Sequence, residues 1–186
     1  MKRRIFVAIA LPPKLKRGIA ETIKQWRWLP IRWLAPENWH ITLIPPMYLE
    51  DDEMRSLTAL LERAKVGKPF TVRFSRVMLA PPGRTARMIW LDGETPPELG
   101  GLKAKLEDLL IGRPHFFPVK RESRPLALHV TLARFEPGEL RELEEKTRAL
   151  GEAKCSFTAR EIAVMESRLK PTGAEYETLA TIPLGS

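Results

Sequence analysis

The chain has 186 residues, 44% of them hydrophobic, with a formal charge of +8 and a pI near 9.9. That length suits one domain spanning 1–186, built as two small lobes with a shared interface, and the apolar content excludes a chain disordered throughout. A single cysteine, Cys155, excludes an intrachain disulfide and a cysteine-rich zinc site, and points to a reducing, cytoplasmic setting.

Residues 3–10 read as an apolar strand. The run stops at Pro12-Pro13, too early for a secretory leader. No segment approaches the roughly 18 apolar residues that cross a bilayer, so no membrane partner is expected. Leu15, Ile19, Ile23 and Trp26 recur at helical spacing and predict a helix over 13–27. A strand over 39–45 follows. A second helix opens at Asp51-Asp52, where carboxylates suit the positive end of the helix dipole, and Met54, Leu57, Leu61 and Ala64 form its apolar face. Strands are expected at 69–79 and 86–92, around the turn Pro81-Pro82-Gly83. Leu99, Leu102, Leu106 and Leu109 predict a third helix over 97–111.

Residues 112–124 read as a basic loop, with Arg113, Lys120, Arg121 and Arg124 interleaved with Phe116 and Phe117. That mixture suits contact with RNA phosphates and bases, and equally a solvated loop over a small core. Then come a strand over 126–134, a helix over 138–150 with Leu140, Leu143 and Leu150 on one side, and strands over 154–167 and 175–182 around Pro171-Thr172-Gly173. Asn38 and Gln25 are the only side-chain amides in a chain rich in arginine and proline, a thermophile-like bias.

An internal echo organises these elements. His40-Ile41-Thr42-Leu43 and His129-Val130-Thr131-Leu132 each lie on a strand between two helices, and two further strands follow each unit. Two such units are expected to pack as lobes about an approximate two-fold axis, with the two tetrads facing one another. On a strand, residues two apart share a face. His40 and Thr42 therefore project together, as do His129 and Thr131, while Ile41, Leu43, Val130 and Leu132 point into packing.

Two imidazoles and two hydroxyls about one cleft suit hydrolysis of a strained cyclic phosphate. A neutral histidine takes a proton from water and a charged one protonates the leaving oxygen; an unperturbed pKa near 6.5 suits both roles. Threonine hydroxyls can bind the non-bridging phosphoryl oxygens. A lone His-x-Thr is usually accidental, but this tetrad occurs twice and uses two of only three histidines. The third, His115, has no companion threonine and reads as a loop residue. Arg134 is a candidate phosphate ligand, but strict alternation from His129 turns it to the opposite face unless the strand ends or bulges near Ala133. Trp26, Trp28, Trp33, Trp39 and Trp90 are expected in the core or at lobe contacts, with Trp39 turned away from His40.

The sequence resembles the two-histidine (2H) phosphoesterase superfamily, and most of all its bacterial and archaeal RNA 2′,3′-cyclic phosphodiesterases, historically called 2′-5′ RNA ligases. The resemblance rests on the two tetrads, the second continuing through Ala133-Arg134. It rests also on Arg4-Ile5-Phe6-Val7-Ala8-Ile9 with Leu11-Pro12, and on Glu166-Ser167-Arg168-Leu169 through Gly173 to Tyr176. It implies an α+β fold, bilobal and duplicated, with two antiparallel sheets flanked by helices around a central cleft. It implies His40 and His129 as catalytic residues, and Thr42, Thr131 and Arg134 as ligands of the substrate phosphate, with no cofactor and no metal. The reaction implied is hydrolysis of a 2′,3′-cyclic phosphate end of RNA, tRNA fragments among the candidates, to a 2′-phosphomonoester, with reversible 2′-5′ joining in some members. A monomer is expected. After the first tetrad the family's Phe-Leu-Gly turn is replaced by Tyr48-Leu49-Glu50, which alters one rim of the cleft. Two alternatives stand beside this reading: an RNA-binding module without turnover, and an enzyme acting on small cyclic nucleotides.

Overall fold

The structure, a computed structural model, describes residues 2–111, 117–123, 125–136, 150–171 and 173–185. All of the helix expected over 138–150 except Leu150, and much of the basic loop, including Arg113, His115, Phe116 and Arg124, lie outside the described residues.

The elements run β1 (Arg3–Ala10), α1 (Pro13–Ile23), β2 (Arg32–Trp33), β3 (His40–Leu49), α2 (Asp51–Ala64), β4 (Phe70–Ala80), β5 (Met88–Asp92), α3 (Pro97–Ile111), β6 (His129–Arg134), β7 (Glu152–Ala159), β8 (Glu161–Lys170) and β9 (Gly173–Pro183). The strands form two antiparallel sheets, one ordered β3-β1-β8-β9 and the other β2-β6-β5-β4-β7. The two signature strands, β3 and β6, meet where the sheets face each other.

The lobes are not the two halves of the chain. β4 and β5, from the first half, build the sheet that carries the second signature, while β8 and β9 complete the sheet that carries the first. Each lobe therefore needs chain from both units, so the cleft forms only once distant segments have paired.

Most expected elements are present, and the differences have physical causes. The helix expected over 13–27 ends at Ile23 and tightens into a 3-10 turn, Lys24–Trp26, which still buries Trp26. β3 runs on through Pro45-Pro46 to Leu49, since it is the edge strand of its sheet and its prolines need not donate to a second neighbour. The single strand expected over 154–167 is two. β7 ends at Ala159 on the edge of one sheet, and β8 begins at Glu161 in the interior of the other.

β1 supplies both the main core and the floor of the cleft. Ile5, Val7 and Ile9 enter the large core, while Phe6 and Ala8, on the other face, pack with Ala163 and Met165 beneath Tyr176. A strand buried on both faces shows an unbroken apolar run rather than alternation. At the start of α2 the Glu50 N–H donates to Glu53 Oε2 at 2.7 Å, satisfying a backbone donor at the helix entrance.

Candidate active site

The two signatures share more than their letters. In β3 the pairing with β1 runs Ile41↔Ile9 and Thr42↔Ala8, then resumes at Ile44↔Val7, leaving Leu43 unpaired. In β6 the pairing with β5 runs Val130↔Leu91 and Thr131↔Trp90, then resumes at Ala133↔Ile89, leaving Leu132 unpaired. Both strands thus carry a bulge one residue beyond the threonine, and Leu43 and Ile44 are both buried, as are Leu132 and Ala133. The bulge resets the alternation. It returns Arg134 to the side of His129 and Thr131, which strict alternation would not.

The resulting cleft has a volume of about 330 Å³. His40, Thr42, His129, Thr131 and Arg134 all line it, together with Arg4, Phe6, Asn38, Met88 and Tyr176. The histidine and threonine of each tetrad are therefore brought to one cavity.

Each imidazole is tied to its own strand in the same way. His40 Nδ1 lies 2.7 Å from the carbonyl oxygen of Asn38, and His129 Nδ1 lies 2.9 Å from that of Ala127. A carbonyl can only accept, so each Nδ1 carries a hydrogen and each Nε2 is left to titrate. Thr42 Oγ1 is 3.1 Å from His40 Nε2 and donates to it while the ring is neutral.

The walls around the two rings differ. His40 stands in an aromatic corner, with ring centroids 4.9 Å from Phe6 and 5.1 Å from Tyr176. Burial pushes its pKa down to about 4; the Asn38 carbonyl opposes this, and the positive charges of His129, Lys16 and Arg134 add to it. His129 stacks on Trp90 with centroids 3.8 Å apart and planes 19° from parallel. Its pKa is also lowered by burial, but the Ala127 carbonyl and the Asp92 carboxylate pull it back. Asp92 is the cross-strand neighbour of His129, so the second imidazole has an anionic companion. Among the described residues, no carboxylate plays that part for His40.

Several residues of the cleft are not evident from the tetrads. Arg4 donates to Ser167 Oγ at 2.6 Å, which links β1 to the closing segment. The neighbouring Arg3 guanidinium grips Glu166 at 3.0 and 2.8 Å and, by hydrogen bonding, holds that carboxyl below the usual range. Asn38 Nδ2 donates to the Ala174 carbonyl at 2.8 Å, and the Tyr176 N–H donates to Asn38 Oδ1 at 3.1 Å. One amide thereby fastens Tyr176 beside His40 while the Asn38 backbone carbonyl orients the imidazole. The signal for Asn38 was its isolation, the only asparagine in the chain. Arg4 and Phe6 share a face of β1 with Ala8, but the unbroken apolar run hides which face meets the cleft.

Two sheets enclosing a cleft of this kind form the fold also seen in E. coli LigT complexed with 3'-AMP, at a TM-score of 0.78 and 22% identity over 100% of both chains. The chain belongs to the 2'-5' RNA ligase superfamily, whose sequence profile matches residues 11–171. It is 27% identical, over 99% of its length, to an RNA 2',3'-cyclic phosphodiesterase of Geobacillus stearothermophilus, and spans 58% of that relative's length. It is 25% identical, over 95% of its length and 98% of the relative's, to an RNA 2',3'-cyclic phosphodiesterase of Methanocaldococcus jannaschii. No helix among the described residues is long and apolar enough to cross a membrane.

Proposed function

We propose that this protein hydrolyses the 2′,3′-cyclic phosphate end of an RNA to a 2′-phosphomonoester. The observation that carries the reading is the convergence of His40 and His129 on one cleft, each with Nδ1 tied to a carbonyl and Nε2 left for proton transfer. The two curated relatives bear the name of this activity.

His40, the ring pushed to about 4, is neutral at working pH and acts as the base. Its Nε2 takes the proton of a water that attacks phosphorus. The bond from phosphorus to the 3′ oxygen breaks, and His129, kept more basic by Asp92, gives its proton to that oxygen. When substrate binds, Thr42 turns its one hydroxyl hydrogen from His40 Nε2 to a non-bridging oxygen, which frees the imidazole for the water, and Thr131 and Arg134 join it where negative charge grows. A 5′-hydroxyl in place of water gives a 2′-5′ linkage by the same steps, which provides for reversible ligation. The chain works as a monomer and needs no nucleotide cofactor.

The test is product analysis with an oligoribonucleotide ending in 2′,3′-cyclic phosphate, in the presence of EDTA. Turnover to a 2′-phosphate is expected, with His40→Ala and His129→Ala each losing at least about 10³-fold while remaining folded. Wild-type rates in either variant, or a requirement for metal, overturn the proposal. In the free enzyme, kcat/KM is expected to rise with pH through about 4 and to fall as His129 deprotonates below its ordinary 6.5.

A further inference from the structure

Arg134 lines the cleft, and it lines two further hollows as well. One, of about 250 Å³, is lined by Arg32, Trp33 and Arg134 and shares Leu34, Asn38 and Tyr176 with the cleft. The other, of about 440 Å³, is lined by Arg32, Arg87, Arg134 and Phe135. The cleft and both hollows thus share Arg134 as a wall.

The register explains how three arginines come together. Arg32 of β2 is the direct cross-strand neighbour of Arg134 in β6, and Met88, next to Arg87, is its neighbour on the other side. The Arg87 carbonyl also receives the Phe135 N–H at 2.9 Å, which holds this corner of the sheet closed. Opposed residues of an antiparallel pair have Cα atoms roughly 5 Å apart, so like charges placed there repel. All three arginines are exposed, and among the described residues none of them is in an ion pair. The hollows do contain carboxylates: Glu136 lines the larger and Glu175 the smaller. Glu175 is committed to Lys170 at 2.6 Å. A fold gains nothing from two unneutralised guanidiniums opposed on neighbouring strands with a third on the same hollow. A polyanion lying across them removes the repulsion.

We infer that Arg32 and Arg87, joined to the cleft through Arg134, form a track for the backbone phosphates of the single-stranded RNA that leads into the site. The inference rests on the proposal that the cleft takes an RNA terminus, and deepens it: the enzyme is built for a strand and not for a mononucleotide. The nucleotide carrying the cyclic phosphate occupies the cleft, and the phosphates preceding it pass along Arg32 and Arg87. Guanidinium groups suit this because each can meet a phosphate with two parallel hydrogen bonds. Neither residue lines the cleft itself, so contact with them falls to the part of a substrate that extends beyond it.

The experiment compares a mononucleoside 2′,3′-cyclic phosphate with a short oligoribonucleotide bearing the same end, on wild type and on the Arg32→Ala/Arg87→Ala double variant. The variant is expected to keep mononucleotide kcat/KM within about twofold and to lose about tenfold or more on the oligonucleotide, chiefly in KM. The slope of log kcat/KM against log salt for the oligonucleotide is expected to become shallower by about 1.4, since each single-strand phosphate contact accounts for about 0.7. The Arg32→Lys/Arg87→Lys variant, which keeps both charges, is expected to restore the salt slope and most of the KM. Equal losses on both substrates, or oligonucleotide kinetics unmoved by the double variant, overturn the track. Fluorescence anisotropy with an oligonucleotide ending in 2′-phosphate reads the track without turnover. Wild type that turns over neither substrate, yet binds this RNA through the two arginines, sinks the proposed activity and leaves the track standing. Tighter, arginine-dependent binding of a polyglutamate peptide than of the RNA would assign the surface to a protein partner and overturn the inference.

Discussion

Trp90 lies almost parallel to the imidazole of His129, with centroids 3.8 Å apart and planes 19° from parallel. The indole covers one face of the ring and keeps water from it, and loss of that hydration disfavours the charged imidazole. Trp90 Nε1 is buried and has no hydrogen-bond partner among the described residues, so a smaller apolar residue forfeits no polar contact there. Trp90→Leu is therefore expected to raise the His129 pKa toward 6.5, and Trp90→Phe, which retains a stacking ring, to raise it less. An NMR titration of the imidazole carbon-bound protons reads this directly. A pKa that falls in Trp90→Leu would show that the indole stabilises the charged ring instead.

Asn38 joins three things: the Ala174 carbonyl, the Tyr176 N–H and, through its own backbone carbonyl, His40 Nδ1. Asn38→Ala removes the first two and leaves the third with a freer backbone. The expected result is a loss of about 1–2 kcal/mol in urea denaturation, because two partly buried backbone groups lose their partners. A fall in kcat exceeding any change in KM is expected with it, since the imidazole loses its fixed direction more than the cleft loses its contacts with substrate. A variant with reduced stability and unaltered kcat would show that Asn38 serves the fold alone.

The tetrads and their shared face were legible in the sequence because the period of a strand is two and the same four-letter pattern occurs twice. Arg134 was not decidable that way. Leu132 and Ala133 are both buried because a bulge places one extra residue between matched pairs, and only the register reveals it. The same holds for Leu43 and Ile44. The division at Arg160 left a trace: Ala153, Cys155, Phe157 and Ala159 alternate with polar residues, then Ile162 to Met165 run without a break. That change marks a chain leaving the edge of one sheet for the interior of another. The exchange of strands between lobes left none, because β-pairing partners are set by tertiary packing rather than by local pattern. Nor did Arg32, Arg87 and Arg134 announce themselves, since their meeting depends on two separate strand pairings.

The depressed pKa of His40 carries a consequence for stability. The folded ring titrates at about 4, whereas an unfolded one titrates near 6.5, so between those values the unfolded chain binds more protons. Stability is then unaffected by this group above about pH 6.5 and falls as pH drops toward 4. His40→Gln abolishes the titration and leaves every carboxylate in place. Wild type is expected to lose more stability than the variant between pH 7 and pH 4, by at most about 3 kcal/mol, in matched urea denaturation curves. Parallel losses in the two proteins would show that the folded imidazole titrates normally.

The two bulges are equivalent, yet different residues succeed them: Arg134 in β6 and Pro45 in β3. Positive charge therefore enters the cleft from the β6 side at this level, where Arg134 adjoins both the imidazoles and the arginine track. Arg134→Ala is expected to lower kcat/KM on a mononucleoside cyclic phosphate by about 10²-fold, the scale of losing one donor to a developing oxyanion. Arg134→Lys restores charge but not a planar fork, so partial recovery is expected, with the deficit larger in kcat than in KM. Because Arg134 is exposed and free of ion pairs among the described residues, its removal is expected to leave the melting temperature unchanged or raise it slightly by relieving Arg32. A variant that melts markedly lower would mean that Arg134 is held for the fold, and the loss of activity would then say nothing about phosphate.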